Sequence, residues 1–426
     1  MSILTVGSGQ QYGTLSAAIA ASHDGDTIDV QAGTYVNDFA TIWTKVHIVG
    51  VGGMVHLVAT QSPPNGKAIL TTETDITLDH IEFSGAAVPD GNGAGVRYEG
   101  GNLTITNSYF HDNQEGILAA AVPNGSITID HSEFANNGTE TGYTHNIYIN
   151  EIGNFTLTNS YIHDALGGHE VKSRADVNVI ENNRIYDNGS DASYSIDLPN
   201  GGAATIQNNV IQQGPNSPNG NIIAFSEESS PYANSQLSVS GNTIVNERSG
   251  FAQAVWNNTG SVTAQIVGNQ FYGLNGGQIA SGPNQQSGNG FLSSEPALDT
   301  SHPWSDNTAN VTTAITGLYS AVFNRAPDAA GLLAWEAAAA NGMSLQDIAN
   351  GFVGSAEFHS LYPNMASNAF LTELYQEAFN RAPDAQGMAD WTNALQHGGT
   401  AVVLLGFATS AENIAKMTSH GWLLGA

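Results

Sequence analysis

The chain has 426 residues, 38 of them Asp or Glu against 10 Lys or Arg, and it contains no cysteine. A net charge of −28 repels nucleic acid and anionic membranes, and the missing thiols remove disulfides, thiolate metal sites and cysteine nucleophiles together. Charged residues make up only 11%, so polarity rests on amides and hydroxyls, and no apolar run reaches the ~18 residues of a membrane span.

The opening MSILTVGSGQQYGTLSAAIAAS has no basic start and no unbroken apolar stretch, so no cleaved signal peptide is expected. Residues 11–22 set Leu15, Ala18 and Ile19 at helical spacing, which predicts an amphipathic helix capping the open end of a core. From Asp24 to Asp38, DGDTIDVQAGTYVND alternates as the first strands should.

From about residue 75 one phrase recurs, in forms such as DITLDHIEF, NLTITNSYF and SITIDHSEF. Its central apolar residues are Leu78, Ile105, Ile129, Leu157, Ile180, Ile206, Val239 and Ile266, at steps of 27, 24, 28, 23, 26, 33 and 27 residues. Two positions after each comes His, Asn or Gly; five positions after each comes Phe or Ile. A period of ~25 residues built from short strands and polar turns predicts a mainly β chain, a right-handed parallel β-helix of about eight to ten coils, with Asn ladders at the bends. A leucine-rich repeat is disfavoured because its L-x-x-L-x-L pattern is missing. The capping helix followed by GDTI and a GTY turn resembles the opening of β-helical carbohydrate-active proteins, a group that includes pectate-lyase-like lyases, alginate epimerases and glycoside hydrolases. That resemblance implies the fold and a polysaccharide partner without choosing an activity.

After residue 275 the pattern fades into a Gly, Ser, Asn and Pro stretch, and the periodicity turns helical. The expected division is a β-helix over 1–300 and a small α-helical domain over 301–426, in two copies of about 311–365 and 366–426. LYSAVFNRAPDAAGLLAW at 318–335 returns as LYQEAFNRAPDAQGMADW at 374–391. The pair resembles a small helical repeat found near the ends of large bacterial secreted and surface proteins. It implies secretion or a cell-surface location without a cleaved signal peptide, with contact to export machinery or the surface through this domain.

The strand phrases between the repeats, GVRYEG, EGILAA, HNIYIN, HEVKSR, SYSIDL and QAVWNN, define a groove face. With Val96, Ile117, Ile147, Val171, Ile196 and Val255 inward, alternation sends Arg97, Leu118, Tyr148, Lys172, Asp197 and Trp256 outward in one column. A second column is expected to hold Asn146, Glu170 and Ser195, and a third Glu99, Asn150 and Arg174. Lys172 and Arg174 stand two apart in a chain with ten basic residues. They either neutralise Glu170 and Asp197 structurally or belong to an acid/base site. As a site, Lys172 is base or neutraliser, Arg174 a carboxylate clamp, and Tyr148, His145 or His169 the acid, with Asn146, Arg97, Asn200 and Trp256 touching the substrate. Glu170 and Asp197, with Asn200, are candidate Ca²⁺ ligands, although no Ca²⁺-loop motif is present. His80, His131 and His163 sit at bends and are expected to be structural. No HExxH, GxSxG or GxxxxGK[ST] occurs.

The reading these residues favour is an extracellular lyase that breaks a uronate-containing polysaccharide by β-elimination. Its rivals are C5 epimerisation, glycoside hydrolysis by Glu170 and Asp197, and a non-catalytic glycan-binding rod.

Overall fold

A computed structural model describes the chain except residues 1, 8, 140–141, 229–231, 305–310, 341–344, 363–367, 409 and 424–426. It divides into two compact units, Met1–Ser305 and Asp306–Ala426.

The first unit is a right-handed parallel β-solenoid of about ten turns. The repeat phrase sets its register. Leu78 pairs with Ile105, Ile105 with Ile129, and so on through Leu157, Ile180, Ile206, Val239 and Ile266. The second apolar position stacks likewise, Phe83 on Phe110 on Phe134 with ring centroids 4.7 and 4.6 Å apart. Each coil thus covers the apolar row of the last, and one continuous core results.

The residue two after each anchor is His, Asn or Gly because the chain turns there through the left-handed region, with φ of 60° at His80, 49° at Asn107, 59° at Asn182 and 65° at Gly241. The ladder lies one residue further on. The Oγ of Ser108, Ser132 and Ser160 accepts from the backbone N–H one coil earlier, and Asn183, Asn209, Asn242 and Asn269 continue the row. Each of those Asn side chains also donates to the amide oxygen of the next, closing the buried bend.

Helix α1 (Leu15–Ala21) caps the core with Leu15, Ala18 and Ile19 buried. It starts four residues later than expected, because Thr14 is its N-cap and Tyr12 is bound to Thr5 and Gly7 by backbone hydrogen bonds. Asp38 accepts from the Leu15 and Ser16 N–H groups at 2.6 and 3.0 Å, satisfying the helix start.

One sheet of the solenoid carries the groove. Its strands are β1 (Ala40–Ile42), β2 (Ala68–Thr72), β3 (Ala94–Tyr98), β4 (Glu115–Ala119), β5 (Ile147–Ile149), β6 (Val171–Ser173), β7 (Ile196–Leu198), β8 (Asn221–Phe225), β9 (Gln253–Asn257) and β10 (Ala280–Ser281), all parallel.

The second unit is helical: α2 (Val311–Phe323), α3 (Ala329–Ala340), α4 (Leu345–Val353), α5 (Ala356–Leu361), α6 (Asn368–Phe379), α7 (Ala385–Ala408) and α8 (Ala411–His420). Its core includes Ile315, Leu318, Phe352, Leu374 and Phe407. The repeated phrase has a local reason. Asp328 and Asp384 accept from the N–H of Gly331 and Gly387, while Arg325 and Arg381 pair with Glu357 and Glu412 of SAEF and SAEN. The expected boundary between copies, at 365/366, lies outside the described residues. No described helix is long and apolar enough to cross a membrane.

Candidate active site on the groove sheet

Alternation along the short strands builds the groove floor. Arg97, Leu118, Tyr148, Lys172, Asp197, Ala224 and Trp256 occupy one register column, and Val96, Ile117, Ile147, Val171, Ile196, Ile223 and Val255 stack behind it, fully buried.

Three adjacent rungs bring the charges together. Lys172 Nζ lies 3.0 Å from Asp197 Oδ2 and 2.6 Å from Glu228 Oε1. Arg174 pairs with the other Glu228 oxygen, donates from Nη1 to Asn200 Oδ1 at 2.7 Å and from Nε to the Tyr148 hydroxyl at 3.3 Å. Burial alone would lower the Lys172 ammonium, but Asp197 and Glu228 outweigh it and hold it above its ordinary value. Arg174 is likewise held up by Glu228 and Tyr148 against its burial. Both are full cations at neutral pH, which does not suit Lys172 to the part of a resting base.

The carboxylates that meet them come from an unexpected place. The chain leaves β8 through Ser226, at φ 61°, and Glu228 N–H bonds to Pro199 O. Tyr232 donates its hydroxyl to Arg174 O at 2.9 Å, tying the returning chain to the same rungs. Glu227 turns its carboxyl inward beside Asp197. Burial first, and then the facing Asp197, push it well above the usual carboxylate range, so it carries a proton at neutral pH. Carboxylate oxygens of Asp197, Glu227 and Glu228 lie within 4.8 Å of one another.

The two imidazoles expected as acids are buried, each two residues before its strand. His169 Nδ1 accepts from Tyr194 N–H at 3.3 Å; this bond assigns the hydrogen to Nε2, 3.3 Å from Asp197 Oδ2. Burial lowers His169 to about 4. His145 stacks on it at 4.7 Å, accepts from His169 N–H, and is driven well below its ordinary value by burial. Both are neutral at pH 7, and His145 also stacks on the Tyr148 ring at 5.6 Å.

Asn146 and Glu170 do not line the groove. They precede their strands, at the bend, where the alternation rule no longer applies, and both are wholly buried. Asn146 accepts from Asn137 at 2.8 Å and donates to Glu170 at 2.5 Å, and Glu170 also accepts from Ala165 N–H at 3.0 Å. A second bend ladder, begun by Asn113 and Asn137, ends on this carboxyl, which burial and the nearby Asp187 push well above the ordinary range. The expected pairing of Lys172 and Arg174 with Glu170 is therefore replaced by pairing with Glu228. Arg97 is on the column but three rungs from Lys172 and bonded to Glu99 at 2.6 Å; Trp256 is half-buried two rungs past Asp197. Asn200, with its amide donating to Glu151, joins the centre through Arg174.

Glu227 and Glu228 escaped the sequence reading because two acids in so acidic a chain look like solvated surface. The signal was the 33-residue step from Ile206 to Val239, the longest of the series, since extra residues in one coil must form a loop outside it. Together the charges balance locally: Lys172 and Arg174 against Asp197 and Glu228, with Glu227, His145 and His169 neutral. Such a site can hold a carboxylate and donate protons in a chain whose net charge otherwise repels anions.

No curated protein matches this chain. ORF18 of Geobacillus virus E2 is similar in structure at a TM-score of 0.45 and 15% identity, over 67% of this chain and 59% of that one, so this chain spans 59% of the viral protein's length. The pectate lyase Pel9A gives a TM-score of 0.40 and 16% identity, covering 68% and 78%, and a pectin methylesterase from Aspergillus niger gives 0.33 and 14%, covering 72% and 94%. Residues 65–271 match the family described as right handed beta helix region, and residues 304–362 and 349–417 match a domain of unknown function (DUF4214). The groove-bearing part of this chain is thus a right-handed β-helix region, followed by a helical part that matches that domain twice.

Proposed function

We propose that this groove binds a uronate-containing polysaccharide and cleaves it by β-elimination. One observation carries the reading: two full cations, Lys172 and Arg174, converge on the two oxygens of a single carboxylate, that of Glu228. A uronate carboxylate brought to the same place would be held in the same fork.

Elimination removes the proton on C5, moves its electron pair toward the carboxylate as an enediolate, and breaks the bond from C4 to the glycosidic oxygen, which takes up a proton. Lys172 and Arg174 neutralise the enediolate. Tyr148, outward on the adjacent rung and held by Arg174, carries the proton between C5 and the departing oxygen: its phenol gives a proton to that oxygen and the phenolate, held by Arg174, takes the one from C5, so the group is unchanged after each turnover. Returning the proton to the opposite face of C5, with the C4 bond intact, would give epimerisation on the same constellation. The proposal assigns the cation's part to Lys172 and Arg174 and not to calcium. It includes a location outside the cell, with the helical domain serving export or surface attachment.

A screen of acidic polysaccharides for the ultraviolet absorbance of unsaturated uronate ends tests it. Product from the wild type that falls at least ~100-fold in Lys172→Ala and Arg174→Ala supports the reading. New reducing ends without that absorbance favour hydrolysis by Asp197 and Glu227, the second of which burial pushes above the usual carboxylate range. Binding without product favours a glycan-binding rod.

A further inference from the structure

A second cluster lies on another sheet of the solenoid, away from the groove strands. Strands Val46–Val58, Ile81–Ser84 and Tyr109–His111 belong to successive coils, where His56 pairs in register with Glu82 and His111 with Ser84. Their outward side chains meet. Glu82 Oε1 is 2.9 Å from His111 Nε2 and 3.7 Å from His56 Nε2. A tetrahedral Zn²⁺ with ligands at about 2.1 Å spaces its donors about 3.4 Å apart, between those two values.

The support is that of a metal-binding imidazole. His111 Nδ1 is engaged by Asp112 Oδ2 at 2.7 Å, which leaves Nε2 to face Glu82, and the Tyr109 ring stacks on His111 with centroids 4.3 Å apart. Side-chain exposures of 27% for His56, 23% for Glu82 and 16% for His111 leave an approach from solvent, and His56 Nε2, 2.7 Å from the Ser84 hydroxyl, exchanges that bond for the metal. A related set two coils further on differs on this point. There Glu133 is 2% exposed, and its two oxygens are taken separately by His163 and His302, so no ligand position is open.

We propose that His56, Glu82 and His111 form a Zn²⁺ site with a fourth position open to water or to a ligand. Two imidazoles and one carboxylate select a borderline metal over Ca²⁺ and Mg²⁺, which prefer oxygen. The proton that His111 Nε2 shares with Glu82 passes to solvent as the metal binds.

The test is calorimetric titration of the full chain, stripped by chelator and dialysed, with Zn²⁺ in the presence of excess Ca²⁺ to saturate general acidic surface. One Zn²⁺ per chain with a Kd of about 1 μM or below is expected. His56→Ala and His111→Ala should each weaken it at least ~100-fold and Asp112→Asn about tenfold, while His131→Ala, whose imidazole bonds to Asp130, leaves it unchanged. A Zn²⁺-dependent rise in Tm for the wild type that is lost in His56→Ala checks the assignment on folded protein. Absence of one-to-one binding, or equal affinity in His56→Ala, overturns the proposal.

Discussion

Glu228 Oε1 lies 2.6 Å from Lys172 Nζ across 56 residues of sequence, and the second Glu228 oxygen meets Arg174. The chain thus supplies its own carboxylate to its most concentrated pair of groove cations. An external anion must compete with Glu228 for the same fork, whereas Asp197, fully buried, stays as the counter-charge of Lys172.

Glu228→Gln removes that competitor while keeping the loop's size. Affinity for an oligouronate, measured by calorimetry, is expected to rise about tenfold, as it would if the open fork is populated about one-tenth of the time in the wild type. Lys67→Ala, at a lysine paired with Asp90, should change nothing. Unchanged or weaker binding in Glu228→Gln would mean that the fork does not receive the substrate carboxylate.

The same electrostatics predicts insensitivity to chelation. Lys172 and Arg174 already neutralise the acidic side of the groove, so initial rates on any polysaccharide the wild type attacks should persist in excess EDTA. A rate that collapses and returns with Ca²⁺ would place the ion among Asp197, Glu227 and Glu228 instead.

Core and bend make separable contributions to stability. Ile185→Ala opens a cavity in a fully buried row and is expected to cost ~2–5 kcal/mol in urea unfolding. Asn209→Ala, which breaks the ladder to both Asn183 and Asn242 and strands Ile180 O, should cost ~2–4 kcal/mol. Asn150→Ala, on the outer face, should stay within about 0.5 kcal/mol.

Alkaline pH should weaken one bend in particular. Burial pulls His163 down, but Asp164 and Glu133 outweigh it and raise it to about 9. Its folded value exceeds the unfolded one of about 6.5, so the stabilisation is complete below pH ~6.5 and lost as pH rises through about 9. His163→Gln should therefore be less stable than wild type by up to about 3 kcal/mol at pH 6, with most of that difference gone at pH 10. A difference independent of pH would show that the imidazole acts by packing alone.

The sequence alone determined the coil. Anchors such as Ile129 and Phe134 repeat at the period of the solenoid because stacking coils is what buries them, so their spacing carries the register directly. It also determined the outward column of Tyr148, Lys172 and Asp197, since alternation holds inside even a three-residue strand. Asn146 and Glu170 escaped the rule because they sit in the bend, where side-chain direction depends on local φ and on buried ladder partners. Only the tertiary structure decided what meets Lys172 and Arg174. A loop's return path is set by contacts such as Tyr232 with Arg174 O and Glu228 N–H with Pro199 O. No periodicity encodes such contacts, so the partner of the groove cations became visible only when separate coils were brought side by side.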